Sequence, residues 1–204
     1  MRNILFILAL LHYGCRSASS LELQAGDLLF QSGSGGLSSA ITEVTTGAGG
    51  RSFSHVGMVA TYSSGGWWVV EAAGKGVRLT PIDSFVQRGG IAAVGRLKEE
   101  YRALIPEAVA FAVRQTGAPY DSEYRYGNGK YYCSELVYDA FLFANRGAPV
   151  FELAPMTFKT PATGELSEAW VAHYQKLGVP IPEGELGCNP GGLSRSEKIA
   201  LRER

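Results

Sequence analysis

SFSHVGMVATYSSGGWWVVEAA, residues 52–73, reads as two strand-like runs separated by SSGG. Valine, threonine and aromatic residues suit a pleated backbone, and a short Gly/Ser break between two such runs marks a hairpin. Two polar groups interrupt the pattern. His55 alternates with Gly57, Val59 and Thr61 on one strand face, and Glu71 sits in an otherwise apolar run, where a carboxylate is costly to bury without a partner. Register decides whether they meet. A hairpin centred on Ser64 puts Glu71 opposite Gly57 and diagonally beside His55, at about 7 to 8 Å. A four-residue SSGG loop without a bulge sends the two to opposite faces, so their pairing requires an odd-length turn or a bulge. Two plainer readings stay open: a core histidine satisfied by a backbone carbonyl, and Glu71 on an exposed edge. Gly57 leaves the histidine's face uncrowded, which suits an imidazole that must swing toward a substrate.

Outward from the hairpin, LQAGDLLFQSG (23–33) gives a short strand, Leu28 to Phe30, after a Gly26-Asp27 turn. Residues 32–52 are rich in Gly and Ser, with a helical turn at LSSAITEV, and carry neither a dinucleotide fingerprint nor a phosphate loop. KGVRLTPIDSFVQRG (75–89) supplies a strand and a helical piece around PIDSF, and IAAVGRL (91–97) a further strand. Then PEAVAFAVRQTG (106–117) reads as a helix with Pro106 near its start and Gly117 just past its end, burying Val109, Ala112 and Val113. The segment from Cys133 to about Ala144 is a helix burying Leu136, Val137, Ala140, Phe141 and Ala144. ELSEAWVAHYQKLG places Leu166, Trp170, Tyr174 and Leu177 on one helix face, before a Pro/Gly-rich tail and a charged end. Strands run together with helices flanking them, so the class is α+β with a mainly antiparallel sheet.

At 204 residues, with nineteen Lys+Arg against nineteen Asp+Glu and no block of like charge, the chain suits one domain and shows no nucleic-acid footprint. The N-terminus, MRNILFILALLHYGC, has an apolar run from Ile4 to Leu11, far short of the roughly 20 residues that span a bilayer. It reads as an export signal over residues 1–19, leaving 20–204 as a single domain in the periplasm or cell envelope. Gly14-Cys15 resembles a lipoprotein cleavage site and Ser17-Ala18-Ser19 an ordinary one, so membrane anchoring through a lipid on Cys15 stays open. Oligomeric state is not legible.

Cys133 opens its helix three and four residues before Leu136 and Val137, and so shares their inward face. Unpaired N–H groups and the positive dipole end favour a thiolate there, and the same groups suit an oxyanion. The alternatives are a small buried hydrophobe or a disulfide to Cys188, although a domain of this size needs no staple. A nucleophilic cysteine needs a base and an orienter. His12 belongs to the signal and His173 to an exposed helix shoulder, which leaves His55 as base and Glu71 as orienter. No metal-ligand spacing appears among the Cys, His and carboxylate positions, and no cofactor is called for.

Gly26-Asp27, Ser54-His55-Val56-Gly57, Glu71, Gly117-x-Pro119-Tyr120-Asp121 and Tyr132-Cys133-Ser134-Glu135-Leu136 together resemble the NlpC-type papain-like cysteine hydrolases. The order His, acid, Cys resembles the circularly permuted YaeF/YiiX-like branch, which is related more distantly to lecithin:retinol acyltransferase-like enzymes. The resemblance implies a permuted papain-like fold, a mainly antiparallel sheet or partial barrel with packed helices. It implies a triad of Cys133, His55 and Glu71 and an additional active-site tyrosine at Tyr120, with Tyr132 as competitor. Asp27 would hold the turn near the site. Tyr132 and Trp67, with Trp68 and Phe53 beside them, would line a hydrophobic substrate pocket, although core packing explains the aromatics equally well. The implied activity is cleavage of an amide or ester through an acyl-enzyme, on a peptide, a peptidoglycan fragment or an acyl lipid. The rivals are a lipid-directed acyltransferase or thioesterase, and a non-catalytic envelope binding module.

Overall fold

β1 (Leu28–Gln31) is buried along its whole length, which makes it the centre of the molecule. The computed structural model describes residues 22–63 and 66–203; the expected export signal with Cys15 and the middle of the expected SSGG break, 64–65, lie outside the described residues. After β1 come α1 (Gly36–Val44), β2 (His55–Ser63), β3 (Gly66–Ala73), β4 (Gly76–Pro81), α2 (Ile82–Gly89) and β5 (Ala93–Leu97). α3 (Ile105–Arg114), α4 (Cys133–Ala144), β6 (Ala154–Pro155), α5 (Glu168–Leu177), β7 (Leu186–Gly187), α6 (Pro190–Ser194) and β8 (Ile199–Glu203) complete the order. Six strands form one sheet in the order β4-β3-β2-β1-β5-β8, with every pairing antiparallel. The architecture is the α+β class read from the sequence.

The alternation of side chains sorts the two faces. Leu28, Phe30, Val56, Met58, Val70 and Ala72 belong to the main core, against which α3 and α4 pack. Leu29, Val59, Val69 and Val94 face the other way and bury Phe85 of α2. Gly57 lies on that second face, where an added Cβ would meet Val69 Cγ1 at 2.6 Å and Phe85 Cε2 at 2.9 Å. The face that the glycine was expected to leave uncrowded is therefore filled by an aromatic ring from α2.

Asp27, 1% exposed, takes Arg96 on both oxygens at 2.7 and 2.8 Å and the backbone N–H of Gln24 at 2.8 Å. It does hold the turn, but at the end of β1 opposite the histidine, since Gln31 is the residue that pairs with His55. Other expectations change as well. The charged C-terminal end is a strand, β8, paired with β5 from Ala93↔Glu203 to Leu97↔Ile199. On α5 only Trp170 and Tyr174 are buried, while Leu166 and Leu177 stay 38% exposed. α3 buries Ala108 and Ala112, with Val109 and Val113 only partly covered. It ends at Arg114, and Gly117 serves the next turn at φ +94°, donating its N–H to Val77. Among the described residues no helix is long and apolar enough to cross a membrane.

Candidate active site

The hairpin contains the bulge that its chemistry requires. Near the turn β2 and β3 pair as Tyr62↔Trp67 and Thr61↔Trp68, whereas further along they pair as Val59↔Val69 and Met58↔Val70. Ala60 is the extra residue, and beyond it the pairing Met58↔Val70 leaves Gly57 and Glu71 as the next residues along the two strands. His55, two residues away on the same face, then meets Glu71 diagonally, with Nε2 2.7 Å from Oε2.

Glu71 is fully buried, so it must be paired to stay charged. Its Oε1 accepts from Thr80 Oγ1 at 2.6 Å, Arg88 Nη2 at 2.6 Å and Arg78 Nε at 3.2 Å; Arg88 also reaches Oε2 at 2.7 Å. Burial alone would raise its pKa, but the hydrogen bonds from His55 and Arg88, followed by the His55 charge and Thr80, bring it down to about 2. A charged carboxylate in turn fixes the ring it faces.

His55, whose side chain is 19% exposed, has its Nε2 committed to Glu71, which leaves Nδ1 as the nitrogen available to the Cys133 side chain, the neighbour that most favours the charged ring. Burial would lower the imidazole pKa, yet the hydrogen bonds to Cys133 and Glu71, helped by the charges of both, raise it to about 9. Cys133 is the first residue of α4 and 3% exposed; Tyr132 in extended conformation (φ −93°, ψ 168°) caps the helix. Neither Cys133 nor Cys188 is in a disulfide. Glu135, one turn into α4, reaches back to the N–H of Gly127 at 2.8 Å and of Tyr132 at 3.4 Å, tying the preceding loop to the helix end.

Two spaces lie at the site, the larger beside His55 and the smaller beside Cys133. A cleft of about 390 Å³ is lined by His55, Ser54, Arg88, Tyr120 and Tyr124. A smaller cavity of about 40 Å³, walled by Ile41, Val44, Met156, Phe158 and Trp170, is lined by Cys133 itself. Ile41 and Tyr124 border both. Tyr120 bridges to Tyr131, and its hydroxyl lies 3.2 Å from that of Tyr124. Burial, the neighbouring Tyr124 and Cys133 push its pKa well up, so it stays a neutral phenol able to donate. Tyr132 borders the small cavity, but its hydroxyl is turned away to accept the N–H of Cys188 at 3.2 Å, which favours Tyr120 as the tyrosine of the cleft.

Trp67 does not reach the site. It pairs with Tyr62 near the turn and packs on the α2 side of the sheet, at the end of β2 remote from His55. Phe53 is a core residue stacked on Phe30. His173 is half-buried rather than solvated, and its Nε2 donates to the Ser122 carbonyl at 2.7 Å. Four contributors escaped the sequence reading: Arg78, Thr80, Arg88 and Tyr124. Arg78 was findable, because it lies directly across β4 from Glu71. Arg88 and Tyr124 left no local signal; Tyr124 adopts φ +54° in a loop that the buried Asp121 holds by accepting the N–H groups of Glu123 and Arg125.

A thiol at a helix start, an imidazole on an antiparallel strand and a buried carboxylate behind it, met in the chain order His, acid, Cys, define a papain-like cysteine hydrolase of permuted topology. Residues 22–198 match the permuted papain-like amidase enzymes of the YaeF/YiiX, C92 family, and the chain belongs to that family. It is 31% identical over 144 residues to the uncharacterized protein YiiX of Escherichia coli (strain K12), an alignment that covers 69% of this chain and 67% of that protein. The fold is similar to the crystal structure of metalloprotein yiiX from Escherichia coli O157:H7, with a TM-score of 0.69, 24% identity and coverage of 89% of this chain and 97% of that one. Among the described residues here, no group of three or more His, Cys, Asp or Glu side chains is arranged to hold a metal ion.

Proposed function

We propose that the chain is an exported cysteine amidase in which Cys133 is the nucleophile, His55 the acid–base group and Glu71 the orienter. The observation that carries this reading is the His55 ring held between the Cys133 side chain and a fully buried carboxylate 2.7 Å from Nε2. The Cys133 thiolate adds to the substrate carbonyl, and the oxyanion takes hydrogen bonds from first-turn N–H groups of α4 and from the Tyr120 hydroxyl. The imidazolium gives its Nδ1 proton to the leaving nitrogen, and the amine departs to leave a thioester. The neutral ring then removes a proton from water, whose oxygen attacks the thioester and releases the acid. Glu71 keeps the proton on Nε2 throughout.

The substrate falls in the cell-envelope class, a peptide or peptidoglycan fragment lying in the cleft beside His55. A second reading, an acyl lipid handled by hydrolysis or transfer, is favoured by the apolar cavity next to Cys133. Residues 1–19 are the export signal in either case and 20–204 the hydrolase domain. The test is labelling with a thiol-directed electrophile, followed by turnover of peptidoglycan fragments and acyl lipids. Labelling should vanish in Cys133→Ala and slow by about 10²- to 10⁴-fold in His55→Ala. An unreactive Cys133 in the reduced wild type would favour a binding module instead.

A further inference from the structure

The orienter is itself gripped more heavily than orientation of one ring demands. Oε1 of Glu71 accepts from Thr80, Arg78 and Arg88, and Oε2 from Arg88 and His55. A carboxylate offers about four lone-pair sites, so none is left over, and rotation about its terminal bond would break several contacts together. Arg88 is the one partner that spans both oxygens. Its guanidinium also lies 5.5 Å over the Phe85 ring, and the His55 ring leans on the same phenyl at 5.9 Å. α2, which carries Arg88 and Phe85, is pinned at its C-terminal end by buried Gln31, which donates to the carbonyls of Phe85 at 2.8 Å and Gly90 at 2.7 Å. Gln31, on β1, is the residue paired with His55 of β2 in the sheet, so the strand beside the one that presents the base anchors the helix that grips its orienter.

We infer that Arg88 is a positioning residue: it holds Glu71 in the orientation that His55 needs and offsets enough of the carboxylate's charge to let the ring give up its proton during the reaction.

The charge count around the ring explains the need. His55 faces Glu71 from β3 and Cys133 from α4; Arg78 of β4 and Arg88 of α2 stand behind Glu71; the phenols of Tyr120 and Tyr124 share the cleft, and β1 contributes only neutral Gln31. A buried carboxylate and a thiolate together hold an imidazolium tightly, as its pKa of about 9 reflects. Release of the acyl group needs the neutral ring as base. Each guanidinium on Glu71 weakens the hold, and Arg88 carries the larger share because its Nη2 reaches both oxygens, at shorter distance than Nε of Arg78 reaches one.

The inference rests on the triad reading, and its test separates the two. The His55 ring is followed by NMR in isotopically labelled protein, assigned by its loss in His55→Asn, while kcat is measured against pH on the substrate that labelling and profiling identify. In Arg88→Gln the His55 titration midpoint should rise by about one pH unit, and kcat at neutral pH should fall about tenfold with KM little changed. Arg88→Lys keeps the charge but loses the planar guanidinium over Phe85, so the midpoint should return to near the wild-type value while kcat recovers only in part. An Arg88→Gln midpoint that stays put or falls overturns the inference, as does an Arg88→Lys enzyme with full kcat. Should Arg88→Gln fail to fold, Arg88→Lys alone still decides. Failure of the triad reading looks different: wild-type Cys133 would not react with an electrophile, while the His55 titration would still report the clamp.

Discussion

Stability against pH reads the His55–Glu71 pair directly, without any substrate. The folded pKa of His55 is raised from 6.5 to about 9, so its contribution is fully present below pH 6.5 and is lost as pH rises through about 9. At about 1.4 kcal/mol per pH unit, the difference is about 3 kcal/mol. Glu71 runs the other way: lowered from 4.5 to about 2, its contribution is present above pH 4.5 and lost as pH falls through about 2. The two values share the His55–Glu71 contact and are not added, and the His55 shift draws on Cys133 first and on Glu71 second. The pair therefore contributes most between pH 4.5 and 6.5. Urea unfolding at a series of pH values measures this. With a slope of roughly 2 kcal/mol per molar, the wild-type midpoint should fall by about 1.5 M between pH 6.5 and 9.5. Glu71→Gln should be less stable at pH 6 by about 3 kcal/mol, because Arg88 and Arg78 lose a buried counter-charge. It should also show roughly half the alkaline slope, since Cys133 still supports the imidazolium. A Glu71→Gln protein with undiminished alkaline dependence would refute the pairing as the source of the shift.

Gly57→Ala forces a methyl group into Val69 and Phe85, and should cost about 1–3 kcal/mol with a lower Tm by calorimetry. Activity should fall with it, because Phe85 sits on the helix that carries Arg88. Burial raises the pKa of Glu135 to about 8, so folding favours its neutral form and stability is lost as pH rises from 4.5 through about 8. Glu135→Gln should therefore gain on wild type at pH 9 and show no gain at pH 4 in chemical unfolding. Asp27→Asn breaks the two-bond contact with Arg96 and should lower stability by about 2–3 kcal/mol, while leaving electrophile labelling of Cys133 intact.

Local periodicity carried much of the fold. The helix Cys133–Ala144 was legible to the residue, because a face with three- and four-residue spacing is written within its own dozen residues. The hairpin was legible too, and with it the need for a bulge, since a carboxylate in an apolar strand demands a partner and a strand has only two faces. β8 was not: as an edge strand it is charged, and its partner β5 lies about a hundred residues earlier in the chain. Trp67 misled because composition says that a tryptophan lies on a strand, while only register says at which end. Leu166 precedes α5 and Leu177 is its last residue, and neither belongs to its buried face, a boundary that periodicity fixes poorly.

The amino-acid order alone pointed to the proposed chemical cast, a thiol at a helix start with a histidine and a carboxylate to serve it, because each choice follows from residue type and immediate neighbours. Tertiary structure decided that Nε2 of His55 meets Glu71, that Arg88 grips the carboxylate from the helix packed on its face of the sheet, and that Tyr124 stands between cleft and cavity. Those facts depend on the packing of segments remote in the chain, and the free energy of such contacts resides in the juxtaposition rather than in any one segment.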